Sequence, residues 1–366
     1  MIPVPRYGQA SLADLSSSVL TSLGVPGGAN PLGLPELPRA CVLLIDGLGW
    51  ELLGEHADQA PFLSSLPGRP LTAGFPATTA TSLSSLSTGL PPGSHGMFGY
   101  QVALPGEGRL LNCLRWDQGR TDPRVFQAQP TVYERANAAG VASSYIAAGS
   151  YAGSDFNEAI TRGSRYTPAD SLGQLVARAE DALTGRAHVT VYHCDLDSTG
   201  HLYGAGSPTW RHQLRFVDLL AERLAGILPA GTALYVTADH GMTNPADRVD
   251  VDATPALREG LALLGGEARA RYLYAEPGAA HDVLAAWRAE LGDRAWVLSR
   301  EEAVAEGCFG PVAPQLMDRI GDVVAIPRTD LAIVATRAEP LESSLVGMHG
   351  SLVPAEQLVP LLAYQA

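Results

Sequence analysis

The chain has 366 residues, of which 46% are hydrophobic and 17% charged, and its formal net charge is -13. That apolar content is too high for a disordered chain, and the acidic balance argues against a nucleic-acid scaffold, whose phosphates want clustered cations. No apolar run approaches the roughly 18 residues of a membrane helix, so a small molecule is the expected partner, with neither nucleic acid nor membrane.

Residues 1–10 carry one Arg and no apolar core, which is not a secretory-signal pattern. The four cysteines, Cys41, Cys113, Cys194 and Cys308, form no CxxC pair and no metal spacing. Cys41 and Cys194 sit inside apolar runs, and the set reads as reduced, buried thiols of a cytoplasmic protein. The Pro- and Gly-rich stretches 24–38 and 104–108 read as surface loops. Residues 41–45 form a buried-strand pattern ending in Asp46-Gly47. Residues 74–82 then open a helix with a run of hydroxyls. Such a start puts a nucleophile at a positive helix end, with free N–H groups for an anion. On that argument Thr78, Thr79, Thr81 and Ser82 are equal candidates.

The runs 141–147, 188–192 and 233–237 read as further strands, and 172–183 as a helix. A longer helix is predicted over 208–227, where Leu214, Val217, Leu220, Leu224 and Ile227 recur at three- and four-residue steps. Ser207 suits its cap and Pro208 its first turn. Strands alternating with helices predict an α/β fold, a mostly parallel central sheet with helices on both faces. Between 249 and 337 the pattern changes to short strands at 268–275, 296–298, 322–326 and 331–335 around a helix at 279–291. That segment is expected to be a smaller α+β lobe (249–337) inserted into a catalytic domain made of 1–248 and 338–366.

Open parallel sheets bind ligands beyond the carboxyl ends of their strands. Asp46, Asp197 and the pair Asp239-His240 are therefore expected to converge on one edge. Asp197 and His201 are four positions apart, so a helical turn puts both on one face, the beginning of a metal site. Asp195 competes with Asp197 for that role. Read singly each signal is weak, since an Asp after a strand also serves as a turn or cap. His95 reads as a structural turn residue, His193 as a strand histidine bonded to a carbonyl, and His56, His188, His212 and His281 as solvated.

Seven motifs occur together in one order: Asp46-Gly47, Phe75-Pro76-x-x-Thr79, Thr88-Gly89-Leu90-Pro91, His95-Gly96, Asp197-x-x-x-His201, Asp239-His240-Gly241-Met242 and His349-Gly350. As a set, spread over residues 40–350, they resemble the alkaline phosphatase superfamily, and most closely its type I phosphodiesterase/nucleotide pyrophosphatase branch. The resemblance implies an alkaline-phosphatase-like fold and a two-zinc site. One ion would be held by Asp46, Asp239 and His240 and would touch Thr79; the other would be held by Asp197, His201 and His349. It also selects Thr79 as the nucleophile, the third residue after Pro76. The implied reaction is hydrolysis of a phosphodiester or pyrophosphate bond through a phospho-threonine. The backbone N–H of Thr79 and the hydroxyl of Ser82 would hold a non-bridging oxygen. Three carboxylates against two divalent ions leave about one positive unit, which suits an anionic phosphoryl group.

Nucleotide-cleaving members of that branch carry an aromatic residue directly after the nucleophile and an Asn two residues later. Here those positions are Ala80 and Ser82. Tyr151, which follows the 141–147 strand, is the candidate replacement platform for a base. Arg115, Trp116 and Arg120 lie on a segment able to reach the pocket. The same implied site also suits phosphonate (C–P) hydrolysis, phosphomonoester hydrolysis, or phosphoryl transfer to an alcohol. The Cys-x-Pro-x-Arg of sulfatases is missing.

Overall fold

The computed structural model describes residues 2–116 and 119–366. Seven strands form the central sheet: β1 (Arg39–Ile45), β2 (Gly68–Thr72), β3 (Ala142–Ala147), β4 (Arg165–Pro168), β5 (Ala187–His193), β6 (Thr232–Thr237) and β7 (Leu358–Gln365). Their order across the sheet is β2-β7-β6-β1-β5-β3-β4. The strands β6, β1, β5, β3 and β4 are mutually parallel. β1 is apolar at every position after Arg39 and buried throughout, as a strand covered on both faces must be. Its register pairs Ile45 with His193 and Leu44 with Thr237. The segments after β1, β5 and β6 therefore emerge side by side at one edge, which is where Asp46, Asp197 and Asp239 lie.

The sheet is mostly parallel, as the sequence predicts, and β7 is its reversed strand, running antiparallel to both β2 and β6. The reason is topological. The chain passes through His349 at the carboxyl edge and re-enters the sheet from there, so its next strand runs the opposite way. A helix not expected from the sequence, Leu12–Ser22, packs on the Thr79–Thr88 helix. Asp14 Oδ2 accepts from the Ser11 amide at 2.8 Å and the Ser11 hydroxyl at 2.7 Å, fixing that helix's start.

A second, antiparallel sheet is built from Leu261–Glu267, Ala270–Ala275, Val323–Pro327 and Ala295–Ser299, paired in that order. The single strand expected over 268–275 is in fact the return arm of a hairpin. Its turn is tight: a Cβ on Gly266, whose φ is +75°, would lie 2.0 Å from the Ala270 carbonyl oxygen. Side chains alternate between the two faces of this sheet. Leu273, Val323 and Ala325 pack with Val283, Trp287 and Leu291 of the Ala280–Leu291 helix. Tyr272, Tyr274, Val324 and Ile326 join the main core. This second face turns the hairpin tip, Glu267 to Ala270, toward the edge where the strand ends converge. Two buried ion pairs, Arg269–Glu356 and Arg271–Glu339, tie it there. Among the described residues no helix is long and apolar enough to cross a membrane.

Candidate metal centre

Asp46 follows β1 directly, and its amide continues the β1–β5 ladder by donating to the His193 carbonyl at 3.0 Å. Asp239 stands two residues after β6. Its Oδ1 accepts from the Gly47 and His240 amides at 3.1 and 3.0 Å, which fixes the carboxylate's orientation. His240 Nε2 then lies 3.4 Å from Asp46 Oδ1 and 3.5 Å from Asp239 Oδ2. These three buried residues form one donor group.

The second group comes from a helix and a distant loop. The Asp195–Tyr203 helix puts Asp197 Oδ2 3.3 Å from His201 Nε2. The loop after residue 345 brings in His349, whose Nε2 is 3.3 Å from His201 Nε2 and 3.9 Å from Asp197 Oδ1. The rings of His240 and His349 stack at 3.6 Å, so the two groups share a wall. Thr79, the first residue of its helix, places Oγ1 3.3 Å from His240 Nε2.

The donor chemistry of both groups fits cations. Nδ1 of His201, His240 and His349 faces the carbonyl oxygen of Gly347, Gly241 and Ala77 at 2.8, 2.9 and 3.0 Å. A carbonyl only accepts, so each Nδ1 carries the proton and each Nε2 presents a lone pair. Two such lone pairs meet at 3.3 Å between His201 and His349, and carboxylate oxygens meet Nε2 of His240. Acceptors facing acceptors are reconciled by an electron-pair acceptor between them. Asp46 Oδ1, Asp197 Oδ1 and Asp239 Oδ2 are moreover buried without a hydrogen-bond partner, a costly state for a lone carboxylate. Burial, then the neighbouring Asp239 and Asp197, push the Asp46 carboxyl well above its ordinary range. Burial likewise raises Asp197, against the pull of His201. Burial, then His240 and His201, hold His349 well below the usual imidazole value, and so neutral. A bound cation reverses the cost for the carboxylates and uses the neutral imidazole.

The structure thus brings together Asp46, Thr79, Asp197, His201, Asp239, His240 and His349. Ser82 lies one turn beyond Thr79 on the same helix face, its hydroxyl buried and without a partner. Tyr151 sits after β3, 36% exposed, its ring 6.1 Å from that of Tyr192 and its hydroxyl 3.1 Å from Cys194 Sγ. Asp195 is not in either group; its carboxylate is largely exposed and faces His193 at 3.7 Å.

Other expectations need correcting. His188 is buried, not solvated; it stacks on Tyr133, and burial lowers it to about 4. β5 lies inside the parallel sheet and is covered on both faces, so a side chain at position 188 is buried whichever face it takes. Cys194 is only half-buried, because it caps the Asp195–Tyr203 helix instead of continuing β5. His193 meets Gln213 at 3.3 Å and Asp195, with no backbone carbonyl partner among the described residues. Trp116 is buried against Phe126, with its indole N–H on the Cys113 carbonyl. Two contributors had no signal in the sequence. Tyr192 looks like a core strand residue, yet its hydroxyl donates to Asp46 Oδ2. Glu267 belongs to the second sheet, yet its Oε2 lies 3.6 Å from His349 Nδ1 and accepts from the Thr78 hydroxyl at 3.2 Å. Burial raises the Glu267 carboxyl well above its ordinary range.

Known proteins share this architecture. Murine ectonucleotide pyrophosphatase/phosphodiesterase 5 is 20% identical with a TM-score of 0.71, over 90% of this chain and 88% of that one. The human protein of that name is 18% identical with a TM-score of 0.70, over 89% and 88%. Phosphonoacetate hydrolase from Sinorhizobium meliloti 1021, in complex with phosphonoacetate, is 21% identical with a TM-score of 0.65, over 90% and 91%. At such identities the likeness is one of fold. A search of curated proteins finds no match. The family model for type I phosphodiesterase/nucleotide pyrophosphatase, however, matches residues 40–352. The chain therefore belongs to the type I phosphodiesterase/nucleotide pyrophosphatase family of phosphoester hydrolases.

Proposed function

We propose that the chain is a metal-dependent hydrolase of phosphodiester or pyrophosphate bonds, working through a phospho-threonine formed on Thr79. The observation that carries this reading is the hydroxyl of Thr79 standing 3.3 Å from His240 Nε2, against two groups of three metal-type donors. Asp46, Asp239 and His240 would hold one ion and Asp197, His201 and His349 the other, and mixed nitrogen and carboxylate donors suit zinc. Bound there, the ions lower the pKa of an attacking hydroxyl and offset charge developing on the phosphoryl oxygens.

The residues of the chain do the rest. Thr79 Oγ1 attacks phosphorus in line, and the bond from phosphorus to the leaving oxygen breaks. Water then attacks the same phosphorus, the bond to Oγ1 breaks, and Thr79 is regenerated. Two inversions give retention at phosphorus. The first-turn amides of the Thr79–Thr88 helix and the Ser82 hydroxyl face the non-bridging oxygens as donors. Tyr151 forms a side wall of the substrate site. We read the chain as cytoplasmic, on the support of its four unpaired cysteines.

Ala80 favours a second reading, since no ring follows the nucleophile to stack on a base. The fold shared with a phosphonoacetate hydrolase makes C–P cleavage of a small phosphonate the specific alternative. A panel with zinc-loaded protein separates the two: bis-p-nitrophenyl phosphate, p-nitrophenyl phosphate, a dinucleotide and phosphonoacetate. A diester or dinucleotide rate above the others supports the first reading. A dominant phosphonoacetate rate replaces it with the second, and a dominant monoester rate overturns both.

A further inference from the structure

Thr78 occupies the N-cap position of the Thr79–Thr88 helix, in extended backbone (φ -147°, ψ 153°), yet its side chain makes no capping bond. Four hydroxyl caps elsewhere in the chain show the usual result, whereas Thr254 turns its hydroxyl to the Asp250 carbonyl. Ser154, Ser171, Ser207 and Thr131, all in extended backbone, accept from the amides of Asn157, Gln174, Trp210 and Glu134. The Thr78 hydroxyl is otherwise engaged: it donates to Glu267 Oε2 at 3.2 Å. The amides of Thr79, Ala80 and Thr81 have no acceptor among the described residues, that of Thr81 for want of the cap, although Ala80 and Thr81 are fully buried. Helix-end amides without a protein acceptor are completed by water or by a ligand, and an anion is the favoured occupant.

Glu267 is held firmly enough to impose this. Its hairpin is anchored two residues later by Arg269, whose guanidinium meets Glu356 Oε1 and the carbonyls of Thr329 and Leu331. The other oxygen of Glu356 accepts from the Ser351 amide at 2.7 Å, so one carboxylate fixes both the hairpin and the loop carrying His349. Glu267 also packs over Gly350, where a Cβ would come 3.1 Å from Glu267 Cγ and φ is +127°.

We propose that Glu267 is a positioning residue that draws the Thr78 hydroxyl off its own helix and so keeps the first turn open for phosphoryl oxygens. The second sheet thereby contributes to phosphoryl recognition without touching the substrate. Loss of the acceptor frees Thr78 to rotate and cap its helix, and the capping oxygen then competes with the phosphoryl group for the same amides. This rests on the phosphoryl-transfer reading above.

The test is calorimetric titration of zinc-loaded protein with orthophosphate. Glu267→Ala is expected to weaken orthophosphate binding at least tenfold. Glu267→Gln, whose amide oxygen still accepts from Thr78, is expected to stay within threefold of wild type. Glu267→Ala combined with Thr78→Ala removes the competing hydroxyl, and binding is expected to return to within threefold of wild type. A general loss of structure would not be repaired by a second deletion. Wild-type affinity in Glu267→Ala overturns the proposal, as does a double variant as weak as Glu267→Ala or a Glu267→Gln that is equally weak. Should wild-type protein bind zinc but no orthophosphate, the phosphoryl reading itself falls and this proposal with it.

Discussion

The two donor groups are built from different materials. Asp46, Asp239 and His240 come from adjacent strand ends and are 3% exposed or less. Asp197, His201 and His349 come from one helix and a far loop, and His201 is 23% exposed. The first group is fixed by the register of the sheet. The second depends on a helix start and a loop meeting, and one of its members faces water. If each group holds an ion, as proposed, the difference implies two affinities at one centre: a deep ion retained with the fold, and an outer ion that exchanges.

The largest effect tests what the groups share. Thr79→Ala should lower turnover on the order of a thousandfold or more, while metal analysis still finds two ions per chain. If turnover survives, neither group is serving that hydroxyl. The groups separate in the next experiments. His349→Ala should leave one tightly held ion, and Asp239→Asn should remove the deep ion; equal losses in both variants would mean a single shared site. With wild-type protein, a chelator should release one ion well before the other, and His201→Ala should abolish only the fast phase. A single release phase would erase the proposed contrast. Tyr192→Phe takes away the hydroxyl that steadies Asp46, and should weaken only the slow ion, by about 10- to 100-fold.

The smallest effect sets a ligand-type histidine against a bystander. Burial holds His188 at about 4. Its folded value lies below its unfolded one, so the unfolded chain takes up a proton that the folded chain refuses. Stability from this group is complete above about pH 6.5 and is lost as pH falls from there toward 4. His188→Phe should flatten the pH dependence of unfolding in that window by about 1.4 kcal/mol per pH unit, with metal content unchanged. An unaltered slope would show that His188 is protonated in the fold.

How far the molecule could be read from its residues follows from how its contacts are made. β1, β5 and β6 are buried on both faces and show up as apolar runs, and the acidic residues just past them mark the sheet's carboxyl edge. Asp197 and His201 share a helix turn, so their spacing alone joins them. β2, β4 and β7 left no comparable trace. Gly68–Thr72 carries Arg and Pro, Arg165–Pro168 is a short partly exposed edge, and β7 contains Pro360. The antiparallel return of β7 is a property of where the preceding loop lies, which no local pattern encodes. Glu267 and Thr78 meet across almost two hundred residues, and each looks ordinary in its own segment. His188 and Cys194 turn on where β5 begins and ends: a residue inside that doubly covered strand is buried even when polar, and the residue just past it opens a helix instead.

Strand β2 lies at the margin of the sheet, and among the described residues β7 is the one strand paired with it, a single bridge from Thr72 to Ser11 aside. During synthesis it emerges long before β7, which is translated only after His349, and until then only its Thr72 end has a backbone partner, the 10–11 segment. For most of that interval the nascent chain must keep an unmatched backbone edge away from other molecules, and β2's Arg69 and Pro70, unattractive to stray strands, are fitted to that wait.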